Sequence, residues 1–173
     1  IVPFAESVVN FDYFELLDVQ AELREVNKYE AEDYFTTSEE FAESTYAREC
    51  GAASNGKWVN KSQNATFNFK FNSDKAAKAD LYASMPFGAN TTTWSALFES
   101  ITVNGKAYTF GSEEGQWADA SINSPHWYTN FPFKMGTIDL VSGENTITMK
   151  PMATANFNFD FIDLLTDALT SAL

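Results

Sequence analysis

Phe157-Asn158-Phe159-Asp160-Phe161-Ile162-Asp163-Leu164-Leu165 is the stretch on which the fold of this chain turns. Phe157, Phe159 and Phe161 alternate with Asn158 and Asp160, the period-two pattern of a strand with one buried face. Near the other end stands Asn10-Phe11-Asp12-Tyr13-Phe14-Glu15-Leu16-Leu17. Set against Asn158 to Leu165, it differs only by Tyr for Phe, Phe for Ile and Glu for Asp. Such an echo is read first as a repeat. Residues 1–20 are then the closing strand of a preceding copy or an N-terminal extension, and 21–27 a charged linker. Residues 28–166 are a complete module and 167–173 a tail, so the chain reads as an excised piece of a longer array. The simpler alternative is one domain whose first and last strands pair and look alike.

The 173 residues suffice for a substantial core. Sixteen Phe, seven Tyr and four Trp are set in a chain of net charge −13. That acidity repels phosphates and excludes nucleic acid and anionic membranes as expected partners. No apolar run reaches the ~20 residues of a membrane span. Cys50 is the sole cysteine, so no disulfide can close within one chain, and it reads as a small buried hydrophobe.

Short strand signals follow one another from Lys28 onward. Lys28 to Tyr34 is a candidate first strand, with Tyr29 and Ala31 inward and Glu30 and Glu32 sharing the opposite face. Thr66 to Phe71 alternates strictly, and Ala77 to Met85 more loosely. Asn104-Gly105 joins Glu99–Val103 to Lys106–Phe110 with the dipeptide of a type I′ hairpin. Ser142-Gly143-Glu144 reads as the turn of a second hairpin, between Gly136–Val141 and Asn145–Lys150. Pro86 to Trp94 and Gly111 to Pro132 read as long loops. Many short strands with almost no helical periodicity predict an all-β sandwich of jelly-roll type, with function carried by its loops.

Six pieces, in order, resemble the calcium-containing β-jelly-roll carbohydrate-binding modules of families six, thirty-five and thirty-six. They are Glu30-Ala31-Glu32, Gly56-Lys57-Trp58-Val59, Leu81-Tyr82-Ala83, Val103-Asn104-Gly105-Lys106, Val141 to Ile147, and Asn158-Phe159-Asp160-Phe161-Ile162. The resemblance runs from about Tyr29 to Leu165. Two segments depart from it: Pro86–Ser100 is longer than the family's loop and lacks its basic residue, and Gly111–Pro132 is extended. Both would border the ligand cleft, so the sugar is not carried over.

Read from the residues alone, Glu30 and Glu32 are two strand carboxylates that either stay solvated or share a hard cation. The resemblance implies the second: a structural calcium held by Glu30, Glu32 and Asp160, with carbonyls from the loop around Tyr46 to Gly51. It also implies a sugar site with Trp127 as platform and Asn156 as an amide reaching the sugar. Tyr128, Tyr46 and Trp94 are further candidate ligand-binding residues, because sugars pack C–H faces on rings and hydroxyls on amides. The competing role for Trp127 is a plug in the open end of the sandwich.

No catalytic residue is assigned. His126, the one histidine, has no partner at working spacing, and Glu113-Glu114 are adjacent and most simply solvated. The expectation is therefore a non-catalytic carbohydrate-binding module, one of a tandem array in a secreted or cell-surface protein. It would bind an oligo- or polysaccharide beside neighbouring domains of the same chain. The rival is a structural spacer or adhesin-type domain of the same fold that binds a protein or nothing.

Overall fold

The computed structural model describes residues 24–37, 47–49, 52–60, 64–87, 91–123 and 132–167. Two antiparallel sheets face each other across one core. The first has the order β1 (Arg24–Glu30), β15 (Phe161–Asp167), β6 (Ala77–Ser84), β13 (Pro132–Leu140). The second has the order β2 (Phe35–Thr37), β5 (Ala65–Ser73), β14 (Gly143–Pro151), β8 (Phe98–Val103), β9 (Lys106–Tyr108). Three small ribbons flank them. β3 (Ala47–Glu49) pairs with β4 (Lys57–Val59), β7 (Thr92–Thr93) with β12 (Ser121–Ile122), and β10 (Phe110–Gly111) with β11 (Trp117–Ala118). A single helical turn, α1 (Trp94–Leu97), precedes β8. The all-β jelly-roll sandwich expected from the strand spacing is the fold.

Alternation explains the core. Phe67, Phe69 and Phe71 on β5 point inward, while Thr66, Asn68 and Lys70 stay wetter. Ile147 and Met149 on β14 and Ile101 and Val103 on β8 join them from the same sheet. From the opposite sheet come Ala79, Leu81 and Ala83 of β6, Ile138 and Leu140 of β13, and Ile162 and Leu164 of β15. Each fully buried Leu, Ile or Phe contributes about 1.5–3 kcal/mol by leaving water.

The closing stretch departs from its sequence reading. It is not one alternating strand. Phe157 and Phe159 make isolated bridges, to Phe87 and Val59, and only from Phe161 onward does β15 form a ladder. Phe157 and Phe159 are core residues, but the inward set then becomes Ile162 and Leu164. Phe161 is buried outside that cluster, with the Lys28 Nζ 3.3 Å from its ring centroid. Facing therefore reverses across Asp160, and a one-residue change of parity moves every later side chain to the other face. The backbone at Asp160 is pinned on both sides: its N–H donates to Ser84 O and its C=O accepts from Ala31 N–H.

Two further readings need correction. The first strand begins at Arg24, inside the segment read as linker, and stops at Glu30; Ala31–Asp33 form a 3₁₀ turn instead of continuing it. β13 and β14 do not form a hairpin. β13 pairs with β6 and β14 with β5 and β8, so the turn between them carries the chain from one sheet to the other. Asn145 builds that turn. Its amide Nδ2 donates to Val141 O and Gly143 O, and its Oδ1 accepts from Val141 N–H and Asn104 Nδ2. Asn104 Oδ1 in turn accepts from Thr146 N–H. Asn104 and Gly105 have φ of 50° and 79°, the left-handed pair that a type I′ turn requires. Asn145 is 0% exposed. Asn145→Ala removes the hydrogen bonds that brace this turn and is expected to cost about 1–3 kcal/mol, measured by denaturant unfolding.

The registers define two ends. At one, Glu30, Phe161, Ser84 and Pro132 lie in one row across the first sheet, and Phe98 and Pro151 pair in the second. At the other, Arg24 pairs with Asp167. The site end is the first.

Candidate functional site

Three acidic side chains meet at the site end although they arrive on three different elements. Glu30 is the last residue of β1, Glu32 lies in the 3₁₀ turn, and Asp160 stands at the parity reversal before β15. The loop ahead of β4 supplies what they touch. Ser54 N–H donates to both oxygens of Asp160, at 3.0 and 3.3 Å, and Ser54 Oγ donates to Glu30 Oε1 at 2.8 Å. Asn55 Nδ2 donates to Glu32 Oε1 at 3.3 Å. Lys28 Nζ reaches Ser54 Oγ at 3.1 Å.

The electrostatics of this corner are unfavourable as it stands. Asp160 is 0% exposed, and burial pushes its carboxyl up to about 7, helped by the charges of Glu30 and Glu32. The Ser54 N–H and Lys28 oppose the rise without cancelling it. Glu32 is also raised, by burial first and then by Glu30 and Asp33, against its own backbone N–H and Asn55. Glu30 Oε2 and Glu32 Oε2 are buried with no hydrogen-bond partner. Orphaned acceptors of this kind each cost about 1–3 kcal/mol. A hard cation is the partner that carboxylate oxygens accept best.

The carboxylate oxygens present are donors of the type that a divalent cation takes. No three acidic, histidine or cysteine side chains among the described residues form a ready-made metal cage. The loop 46–51, from which carbonyls were expected, lies outside the described residues apart from 47–49. In the sequence, Ser54 and Asn55 carry only the turn chemistry of Ser54-Asn55-Gly56.

The sugar-binding candidates separate. Asn156 is exposed, in the Met152–Asp160 connection that enters β15. That connection is tied to the neighbouring one: Met152 N–H donates to Leu97 O, Asn158 N–H donates to Pro86 O, and Phe157 bridges to Phe87. Trp94 does not line an open cleft. It is 1% exposed, lies at the start of α1 and packs on Phe98 and Phe110 with ring centroids 6.5 and 6.1 Å away. The indole is used as core because the segment read as loop folds back into strand and helix there. Trp127, Tyr128 and Tyr46 lie outside the described residues, as do His126 and Cys50. Glu113 and Glu114 are exposed in a turn.

No protein-family model matches the chain, and no sequence relative of curated function does. Solved structures do match in shape. A family 35 carbohydrate binding module from Clostridium thermocellum aligns over 81% of this chain and 97% of its own, with TM-score 0.59 and 16% identity. The GH26-CBM35 β-(1,4)-mannanase of Podospora anserina aligns with TM-score 0.54 and 16% identity, over 83% of this chain. An exo-β-1,3-galactanase from Phanerochaete chrysosporium, solved with β-1,3-galactotriose, gives TM-score 0.53 and 18% identity over 79%. This chain spans 28% of each of those two enzymes. Two facing sheets, the reversed closing strand and these alignments lead to one statement: the chain has the β-sandwich fold of the family 35 carbohydrate-binding modules.

Proposed function

We propose that this chain is a non-catalytic carbohydrate-binding module that holds a glycan at the loop end of its sandwich. The observation that carries the reading is the fold match along nearly the whole length of a family 35 module. The exposed Asn156 amide at the site end supports it. Trp127 is the proposed platform and Tyr128 and Tyr46 its neighbours; Asn156 supplies amide hydrogen bonds to sugar hydroxyls. A calcium ion held by Glu30, Glu32 and Asp160 neutralises the corner beneath and ties β1 to the entry of β15. Its role is structural.

The module is proposed to be one of several in a secreted or surface-attached protein whose catalytic domain lies elsewhere. Support comes from the strand geometry. Arg24 and Asp167 are paired neighbours, so the chain enters and leaves the sandwich at one end and carries Glu30, Asp160 and Asn156 at the other. A tethered pair of weak sites gains from its high effective concentration. Residues 10–17 are proposed to be the closing strand of a preceding copy, on the strength of their match to 158–165.

Isothermal titration of the intact chain with neutral oligosaccharides tests the reading. Binding is expected, and Trp127→Ala is expected to weaken it at least about tenfold, roughly 1.4 kcal/mol. A folded protein that binds no glycan would favour the spacer or adhesin reading, to which the burial of Trp94 lends weight by removing one aromatic from the cleft. Turnover of glycan by this chain alone would overturn both.

A further inference from the structure

The two segments that depart from the resembled family are joined to each other. β7, within 86–100, pairs antiparallel with β12, within 111–132, in the register Ser121↔Thr93 and Ile122↔Thr92. The ribbon is braced on both sides. Asp119 accepts from Ser95 N–H at 3.0 Å and from Ser95 Oγ–H at 2.5 Å. Thr91 Oγ1 donates to Asn123 Oδ1 at 2.9 Å. Beneath it Ile122 and Trp94 are buried at 3% and 1% exposure, which anchors the ribbon to the core. It stands at the site end, since α1 follows β7 directly and Leu97 O holds the Met152 N–H of the Asn156 connection.

Thr91, Ser121 and Asn123 on this ribbon are all exposed. Asn123 uses its carbonyl oxygen on Thr91, and its amide hydrogens have no partner among the described residues. Thr91 gives its proton to Asn123 and keeps acceptor lone pairs. A fixed donor beside a fixed acceptor is the pattern that a pair of adjacent sugar hydroxyls satisfies. Charge narrows the class. From Pro86 to Asn123 the only basic residue is Lys106, and it sits on β9 engaged with Asp139 and the Tyr108 ring. The ribbon itself carries Asp119, on a chain of net charge −13. Among the described residues of the ribbon, no cationic side chain stands ready for a uronate carboxylate.

We propose that the β7–β12 ribbon is a wall of the glycan site, with the Thr91–Asn123 pair binding hydroxyls of a neutral sugar. This rests on the module reading above. The wall is a place where this chain sets its own specificity, because both strands lie in segments that depart from the resembled family.

Calorimetric titration of the intact chain with β-1,4-mannohexaose, β-1,3-galactotriose and trigalacturonate tests it. At least one neutral probe is expected to bind and trigalacturonate is not. Asn123→Asp keeps the acceptor for Thr91 and removes both amide donors; it is expected to weaken the neutral probe roughly tenfold with the melting temperature unchanged. Thr91→Ala is expected to weaken it about fivefold, in line with the loss of one modest hydrogen bond. Unchanged affinity in both variants, with binding still lost in Trp127→Ala, would remove the ribbon from the site and leave the module reading standing. Trigalacturonate bound as tightly as the neutral probes would overturn the neutral class. A wild-type chain that binds none of the three overturns the module reading, and this inference with it.

Discussion

Phe159→Ala is expected to destabilise the domain by about 3–5 kcal/mol, at the upper end of single core truncations. Phe159 is 0% exposed and sits where both sheets and the β4 ribbon meet. Its ring lies 4.5 Å from Phe67, 6.0 Å from Phe69, 6.1 Å from Phe98 and 6.2 Å from Phe157, centroid to centroid. Four surrounding rings are stiff, and each is fixed by its own strand or bridge, so the cavity cannot collapse. The backbone of Phe159 meanwhile exchanges two hydrogen bonds with Val59, at 2.8 and 2.9 Å, which alanine retains. The loss should therefore appear as packing energy. Denaturant midpoints measure it, with Phe161→Ala as the control. Phe161 lies outside the core cluster under Lys28, and its truncation should cost less. Equal losses at the two positions would refute the parity reversal at Asp160.

Asp160 carries the second large effect. With calcium at a hundredfold excess over its dissociation constant, the wild-type protein should gain about 2.7 kcal/mol of stability by mass action. Chelator should remove that gain. Asp160→Asn keeps an acceptor for the Ser54 N–H but loses the charge, so calcium should no longer stabilise it. Without calcium the same variant should be at least as stable as wild type at neutral pH, because it no longer buries an anion.

The pH dependence follows with a definite sign. The folded carboxyl of Asp160 titrates at about 7, against an ordinary value of 3.8. Between those values the native state holds a proton that the unfolded chain has released. Calcium-free stability should therefore be highest below about pH 4 for this group and fall as pH rises through about 7. Calcium competes with that proton, so its stabilising effect should grow over the same interval. Melting curves at several pH values, with calcium and with chelator, check both statements. Superimposable curves would rule out the cation.

The strand signals in the sequence came through because local alternation is a local property. Thr66 to Phe71 buries its three Phe rings, and Asn104-Gly105 turns with the φ values its dipeptide demands. The errors share a cause. Val141 to Ile147 reads as a hairpin because turn chemistry reports a reversal of direction, and cannot report that the two arms belong to different sheets. Trp94 reads as a loop aromatic because its neighbours are polar, yet the β7–β12 pairing presses it into the core. Ser54 and Asn55 read as generic turn residues, since their partners lie up to 106 positions away.

The stretch from Phe157 to Leu165 shows the division. Its sequence by itself determined that this is an aromatic-rich closing segment of an all-β sandwich, with acidic residues set between apolar ones. Periodicity reaches that far because side chains alternate along any extended backbone. Only the tertiary structure decided that Phe159 and Phe161 serve different faces, and that Asp160, between them, is buried against Ser54 beside Glu30 and Glu32. The physical reason is the backbone pairing of Asp160 with both Ser84 and Ala31. Those hydrogen bonds join strands distant in sequence, and they set the facing of every residue that follows.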